Sequence, residues 1–299
     1  MENGPESEPM KTQVPTLERV GARDRFADYC LWDYEPPAPP SGKLRSSNLL
    51  WRAIEAAGGD ARLREACEAL RDGLGPFRTV YGVKKFGDRL SFEFYFYDYA
   101  RLGRAVSIPK VLAALAPFVD CKLRYSENRP YFMFSIDLDA DVVNRRRPLD
   151  TINIYVGNPG SSVSSGICYE LTREAFRLAN FYFFFNAQAE MTDIQAKIAC
   201  SAHHDLPSLP MDEILRPELR DCGVIVVSNK KFGDGVYFSR ISVDQLLGFL
   251  RRENFPAAIV DFATLHRDDL DHMLYDVGID YRIEGPEAVV TKSAFYGLL

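Results

Sequence analysis

With 299 residues, 46% of them hydrophobic and 26% charged, the chain has an ordinary globular balance and ample apolar material for a large core. A formal net charge of -6 argues against a general nucleic-acid-binding surface, which needs clustered Lys and Arg to meet phosphates. Residues Met1–Thr16 are polar with no apolar leader, and the longest apolar run, Val111–Val119, is too short to cross a bilayer, so the expectation is a soluble, cytoplasmic chain.

In chain order, residues 1–15 carry Pro5, Pro9 and Pro15 among Glu, Ser and Gly, and are expected to be disordered. Phe26, Tyr29, Trp32 and Tyr34 are expected to dock as a short segment on the body, before a stiff linker of Pro36, Pro37, Pro39 and Pro40. This divides the chain into a loosely docked segment, 1–44, and one α+β domain, 45–299. Leu49, Leu50 and Ile54 mark a short amphipathic helix broken at Gly58-Gly59; Asp60 then caps a second helix with Leu63, Ala66, Cys67 and Leu70 inward. A strand over 79–85 turns at Gly87-Asp88 into a second over 91–99. There Phe92, Phe94 and Phe96 alternate with Glu93, Tyr95, Tyr97 and Tyr99. Ser107 caps a helix with Pro109 in its first turn.

The same rhythm continues. A strand over 131–139 places Phe132, Phe134, Ile136 and Leu138 on one face, with Tyr131, Ser135, Asp137 and Asp139 on the other. A strand over 151–156 sets Ile152, Ile154 and Val156 against Thr151, Asn153 and Tyr155. Strands follow near 167–171 and 181–185, and Thr192 with Gln195 reads as a capping box. Strands 224–229 and 236–241 pair across Gly233-Asp234-Gly235, and Ser242 with Gln245 boxes the next helix. A last helix is expected over 266–276, ending at Gly278, with strands near Tyr281 and over 289–296. Lys84-Lys85-Phe86-Gly87-Asp88 recurs as residues 230–234, which suggests a repeated hairpin-plus-helix unit. About ten mostly antiparallel strands fit either a large sheet with helices on one side or a closed barrel ringed by helices.

Several clusters could carry chemistry. The stripe Tyr95, Tyr97, Tyr99 with Glu93 can line a pocket for an aromatic or cationic ligand, although β-propensity alone also explains it. His203, His204, Asp205, His266, Asp269 and His272 could join loop and helix into a metal site, but none stands in a His-x-x-x-His pattern. Asp137, Asp139 and Asp141 recur with period two; Arg145, Arg146 and Arg147 form a basic loop, and charge runs are usually solvated. Residues 158–166 are Gly/Ser-rich and read as a loop over a site opening. Six cysteines without a Cys-x-x-Cys pair suggest free thiols rather than a zinc ribbon. Walker A, Gly-x-Gly-x-x-Gly and Gly-x-Ser-x-Gly signatures are absent from the sequence.

The hairpin-plus-helix pattern, the strand count, the Tyr-lined faces and the paired lysines resemble the ABBA-type aromatic prenyltransferases over most of residues 45–299. That resemblance implies an isoprenoid diphosphate held by Lys84, Lys230, Arg282 and Lys292. It also implies Tyr95, Tyr97 and Tyr155 shielding an allylic cation, with Glu93 grouped beside them as a catalytic candidate. A small-molecule substrate is expected, with no cofactor, nucleic acid or membrane partner. Two other readings stay open: a metal-assisted tailoring enzyme using His203, His204 and His272, and a non-catalytic binding or assembly protein with an aromatic docking face. Lys84→Ala is expected to weaken diphosphate binding while leaving folding nearly untouched, as for an exposed lysine; the alternative is that Lys84 and Lys230 are ordinary solvated hairpin residues.

Overall fold

The computed structural model describes residues 17–99, 104–159, 161–204 and 209–299; the segment 1–15, Gly160 and Asp205 lie outside it. Period-two alternation produces ten strands: β1 (Thr79–Phe86), β2 (Arg89–Tyr97), β3 (Tyr131–Leu138), β4 (Ile152–Gly157), β5 (Ser165–Leu171), β6 (Phe176–Asn186), β7 (Val224–Lys230), β8 (Gly233–Ile241), β9 (Tyr275–Glu284) and β10 (Glu287–Leu298). Each is antiparallel to its chain neighbours, and β1 pairs with β10, so the sheet closes into a barrel. Of the two arrangements left open by the sequence, closure is the one adopted, and every strand of the ring has a paired neighbour on both sides.

Helices coat the outside: α1 (Ser47–Ala56), α2 (Ala61–Leu74), α3 (Ile108–Ala114), α4 (Ala140–Val143), α5 (Met191–Ala199), α6 (Met211–Leu215), α7 (Val243–Arg252), α8 (Ala257–Leu265) and α9 (Arg267–Leu270). Outward side chains of the wall, including Phe92, Phe94, Phe96, Phe134, Ile152 and Ile154, pack with these helices in the main core. Phe96 stacks on Phe134 at 5.0 Å between ring centroids. Asp60 accepts from the Leu63 N–H at 3.1 Å, and Ser242 and Gln245 form the reciprocal box that opens α7. No helix among the described residues is long and apolar enough to cross a membrane.

Four local expectations are corrected. A β-bulge between Tyr131 and Met133 inserts one residue into β3, so Tyr131 packs outward and Phe132 turns inward, the reverse of the strict alternation. The box at Thr192 and Gln195 does not form: α5 starts at Met191, and Glu190 at its N-cap bonds the Asn186 N–H instead. The helix over 266–276 is replaced by short α9 and then by β9, because Tyr275, Val277, Ile279 and Tyr281 alternate with Asp276, Gly278 and Asp280 and can bury one face outward. The two copies of the pentapeptide sit differently on their turns. Gly87-Asp88 makes the first turn, whereas Lys231-Phe232 makes the second and Gly233-Asp234 lie within β8.

Residues 17–45 run across the body before α1. The Glu18 carboxylate gathers them in, accepting from the Ser47 hydroxyl, the Trp51 indole N–H and the Arg71 guanidinium. Further on, Ala27 bridges Asp33, and the tight loop between them carries Tyr29, Cys30 and Trp32 to one end of the barrel.

Candidate active site

Inward positions of the strands enclose a cavity of about 290 Å³. Its middle is a belt of phenols: Tyr95 from β2, Tyr155 from β4, Tyr182 from β6, Tyr237 from β8 and Tyr296 from β10. Adjacent rings meet edge-on or tilted, with Tyr95 5.9 Å from Tyr296 and Tyr182 6.4 Å from Tyr237. Burial is the main reason each of these phenols titrates far above its ordinary value, so all five stay protonated at neutral pH.

Close packing of this belt needs glycine opposite it. A Cβ on Gly278 would lie 2.1 Å from Tyr237 Cδ1, so the Tyr237 ring fills the space beside bare backbone. Gly278→Ala is expected to displace that ring at a cost of about 1–3 kcal/mol; near-UV circular dichroism would register the change, and an unaltered spectrum would contradict the packing.

One end of the lumen is charged. Lys84 on β1 donates to Glu93 Oε2 at 3.0 Å and also to Asp137. Ser135 donates to Glu93 Oε1 at 2.5 Å, and Asn153 to the same oxygen at 3.4 Å. Burial opposes ionisation of Glu93, but the Lys84 ammonium and the Ser135 hydroxyl outweigh it and hold the carboxyl down at about 2. Burial likewise penalises the Lys84 charge, and Glu93 and Asp137 outweigh it, so this ammonium stays protonated. At the same end Asp280 on β9 bridges two lysines: Lys230 Nζ lies 2.6 Å from its Oδ1 and Lys292 Nζ 2.7 Å from its Oδ2. Tyr237 OH accepts from Lys230 at 2.6 Å and donates to Asp280 at 3.0 Å. Burial, reinforced by the neighbouring Lys292, brings Lys230 down to about 8 despite Asp280.

The other end is aromatic and holds the N-terminal loop. Tyr29, Cys30 and Trp32 meet Tyr97, Tyr99, Phe132 and Phe184 there, beside Ser164 from the Gly/Ser-rich segment and Ser165, with which β5 begins. Tyr99 stacks on Phe132 at 5.7 Å and donates to the Cys30 carbonyl at 2.8 Å. Trp32 and Tyr99 remain 43% and 47% exposed, which marks this end as an opening. The loop is latched by Asp28, which pairs with Arg240 at 3.0 Å, and by the Tyr29 N–H, which donates to Asp276 at 2.9 Å. Burial and the nearby Asp28 push the Asp276 carboxyl up to about 7.

Of the residues singled out from the sequence, Glu93, Tyr95, Tyr97, Tyr155, Lys230 and Lys292 line the cavity together. Lys84 sits behind Glu93 as its buried partner, not as an exposed hairpin lysine. Arg282 is not brought to the lumen. The β8–β9 ladder ends at Tyr281, so Arg282 lies on the projecting tip of the last hairpin, exposed and donating to the Phe232 carbonyl. The histidines do not converge: His203 bonds the Lys230 carbonyl, His204 faces Asp234, His266 pairs with Asp269, and His272 lies buried edge-on to Phe26. Among the described residues no group of His, Cys, Asp and Glu is placed to hold a metal ion. Asp139 caps α4 and pairs with Arg147, while Asp141 pairs with Arg146, so neither the carboxylate series nor the basic loop forms a shared site.

Sequence reasoning missed Asp280, Tyr182, Tyr237 and Tyr296. Tyr237 could have been found, since it alternates with Val236 and Phe238. Asp280 was hidden by the helix expected just before it.

No protein-family model matches the chain, and no curated protein matches it in sequence. Similar solved structures include the crystal structure of AnaPT from Neosartorya fischeri, at 10% identity over 85% of this chain and 92% of that one, with a TM-score of 0.49. Another is the PriB binary complex with product diphosphate, at 12% identity over 84% of this chain and 94% of that one, with a TM-score of 0.47. These likenesses are ones of architecture alone and come with no diagnostic motif.

Proposed function

We propose that the barrel is a small-molecule transferase that moves a prenyl group from an isoprenoid diphosphate to an aromatic acceptor. The observation that carries this reading is the enclosed phenol belt running from an aromatic opening to Lys230 and Lys292. In the transfer, the donor's C–O bond breaks and diphosphate leaves with the electron pair. The allylic cation is sheltered by phenol faces, which attract positive charge without reacting with it when they remain protonated. The acceptor's π electrons form the new C–C bond, and the ring proton passes to a base. Glu93, ionised at neutral pH and lining the cavity, is the group assigned to receive it.

Titration calorimetry with dimethylallyl and geranyl diphosphate tests the donor half. Binding is expected, with the shorter chain preferred in so small a cavity, and Lys230→Ala is expected to weaken it by about tenfold or more. Absence of heat with both donors removes the prenyl-transfer reading. A second reading is favoured by a specific observation: every lumen ammonium named above is already paired with a carboxylate, which suits a neutral aromatic ligand held without chemistry.

A further inference from the structure

The bridging carboxylate at the charged end has consequences for what the lumen accepts. Asp280 places one oxygen on each of two ammonium groups, 2.6 Å from Lys230 and 2.7 Å from Lys292. Two oxygens of a phosphate group would span the same pair of ammonium groups in the same manner. The fold makes room for this arrangement. Asp280 faces Gly235 across the β8–β9 ladder, and a Cβ on Gly235 would lie 2.6 Å from Asp280 Oδ1. Any side chain other than hydrogen there would drive the carboxylate away from the lysines.

Opposite charges balance at this end of the lumen. Lys84, Lys230 and Lys292 are matched by Glu93, Asp137 and Asp280, so the end as a whole is neutral. An incoming diphosphate carries about three negative charges, and at hydrogen-bond range a resident carboxylate repels it strongly in so buried a place. We infer that Asp280 is a specificity-determining residue: it acts as the resident anion of the donor end, holding Lys230 and Lys292 in place of a phosphate and setting how tightly an anionic ligand binds. This rests on the reading of that end as a diphosphate site, but not on transfer taking place.

The test uses the whole chain and inorganic diphosphate as the probe, followed by calorimetry. Asp280→Asn keeps the size while removing the charge and one of the two acceptor oxygens, and is expected to tighten binding by about tenfold or more over the unaltered protein. Lys292→Met alone is expected to weaken binding by a similar factor. Adding Asp280→Asn to it should return affinity to within about threefold of the unaltered protein, since the net charge of the pair is then restored. This double variant also keeps the inference testable should Asp280→Asn alone fail to fold with two uncompensated ammonium groups. Unchanged or weaker binding in Asp280→Asn, or no recovery in the double variant, overturns the role given to Asp280. Binding seen only after Asp280 is neutralised supports that role and counts against a diphosphate donor for the natural chain. Binding in the natural chain without gain in the variant leaves the donor reading standing and sinks the inference alone.

Discussion

Lys84→Ala is expected to destabilise the protein by about 3–5 kcal/mol at pH 7, because the substitution leaves Glu93 buried without its counter-ion. Asp137, half exposed, loses a partner too but can be solvated. The pH dependence stems from Glu93. Its carboxyl titrates at about 2 in the folded chain, below its ordinary value near 4.5, so the stability it contributes is present above about 4.5 and is lost as the pH falls through about 2. The gap between the unaltered protein and Lys84→Ala should therefore be widest at neutral pH and shrink in acid. Adding Glu93→Gln should recover part of the loss, since the uncompensated charge goes with it. Urea unfolding midpoints across that pH range measure all three statements. Equal stability at pH 7 would return Lys84 to solvent, where the hairpin pattern of the sequence had put it.

A second large effect separates the two faces of the wall. Phe94 is fully buried between β2 and the helices, and Phe94→Ala should cost about 3–5 kcal/mol. Phe132, an aromatic on the neighbouring strand, lines the open end of the lumen and is only partly buried. Phe132→Ala should cost less than about 1.5 kcal/mol and instead alter ligand affinity. Comparable losses of stability for the two would mean that β3 carries no bulge and that both rings face the helices.

These contrasts show what is legible in such a chain. Phe92, Phe94 and Phe96 announced the outer face, since a barrel wall buried against helices demands an unbroken apolar stripe on every second residue. Glu93, Tyr95 and Tyr97 were equally legible as the opposite face. Phe132 was not, because a bulge is a one-residue insertion that leaves the pattern intact on either side of it. Gly278 misled by resembling a helix terminator, when its lack of a side chain serves the Tyr237 ring. Lys84 misled for another reason. Its hairpin position fixes its strand but not its partners, and Asp137 arrives from β3, far along the chain. Arg282 kept the inward parity of Asp280 and Gly278 but lies beyond the last residue that β8 pairs with, so parity no longer meant the lumen.

Closure of the wall has a bearing on how the molecule comes into being. The seam joins Val80 to Leu298, nearly the first and last strand residues of the ring. A ladder between segments so far apart in sequence carries a larger loop-closure entropy cost than the other ladders, all between consecutive strands, and such long-range pairing is slow to form. Until β10 docks, β1 and β9 each offer an unfilled row of amide donors and acceptors, the surface through which unfinished chains find one another. The clasp that gives the mature ring its freedom from edges is thus also the step at which an incomplete chain is most exposed to aggregation, and the time spent waiting for that last strand sets the hazard.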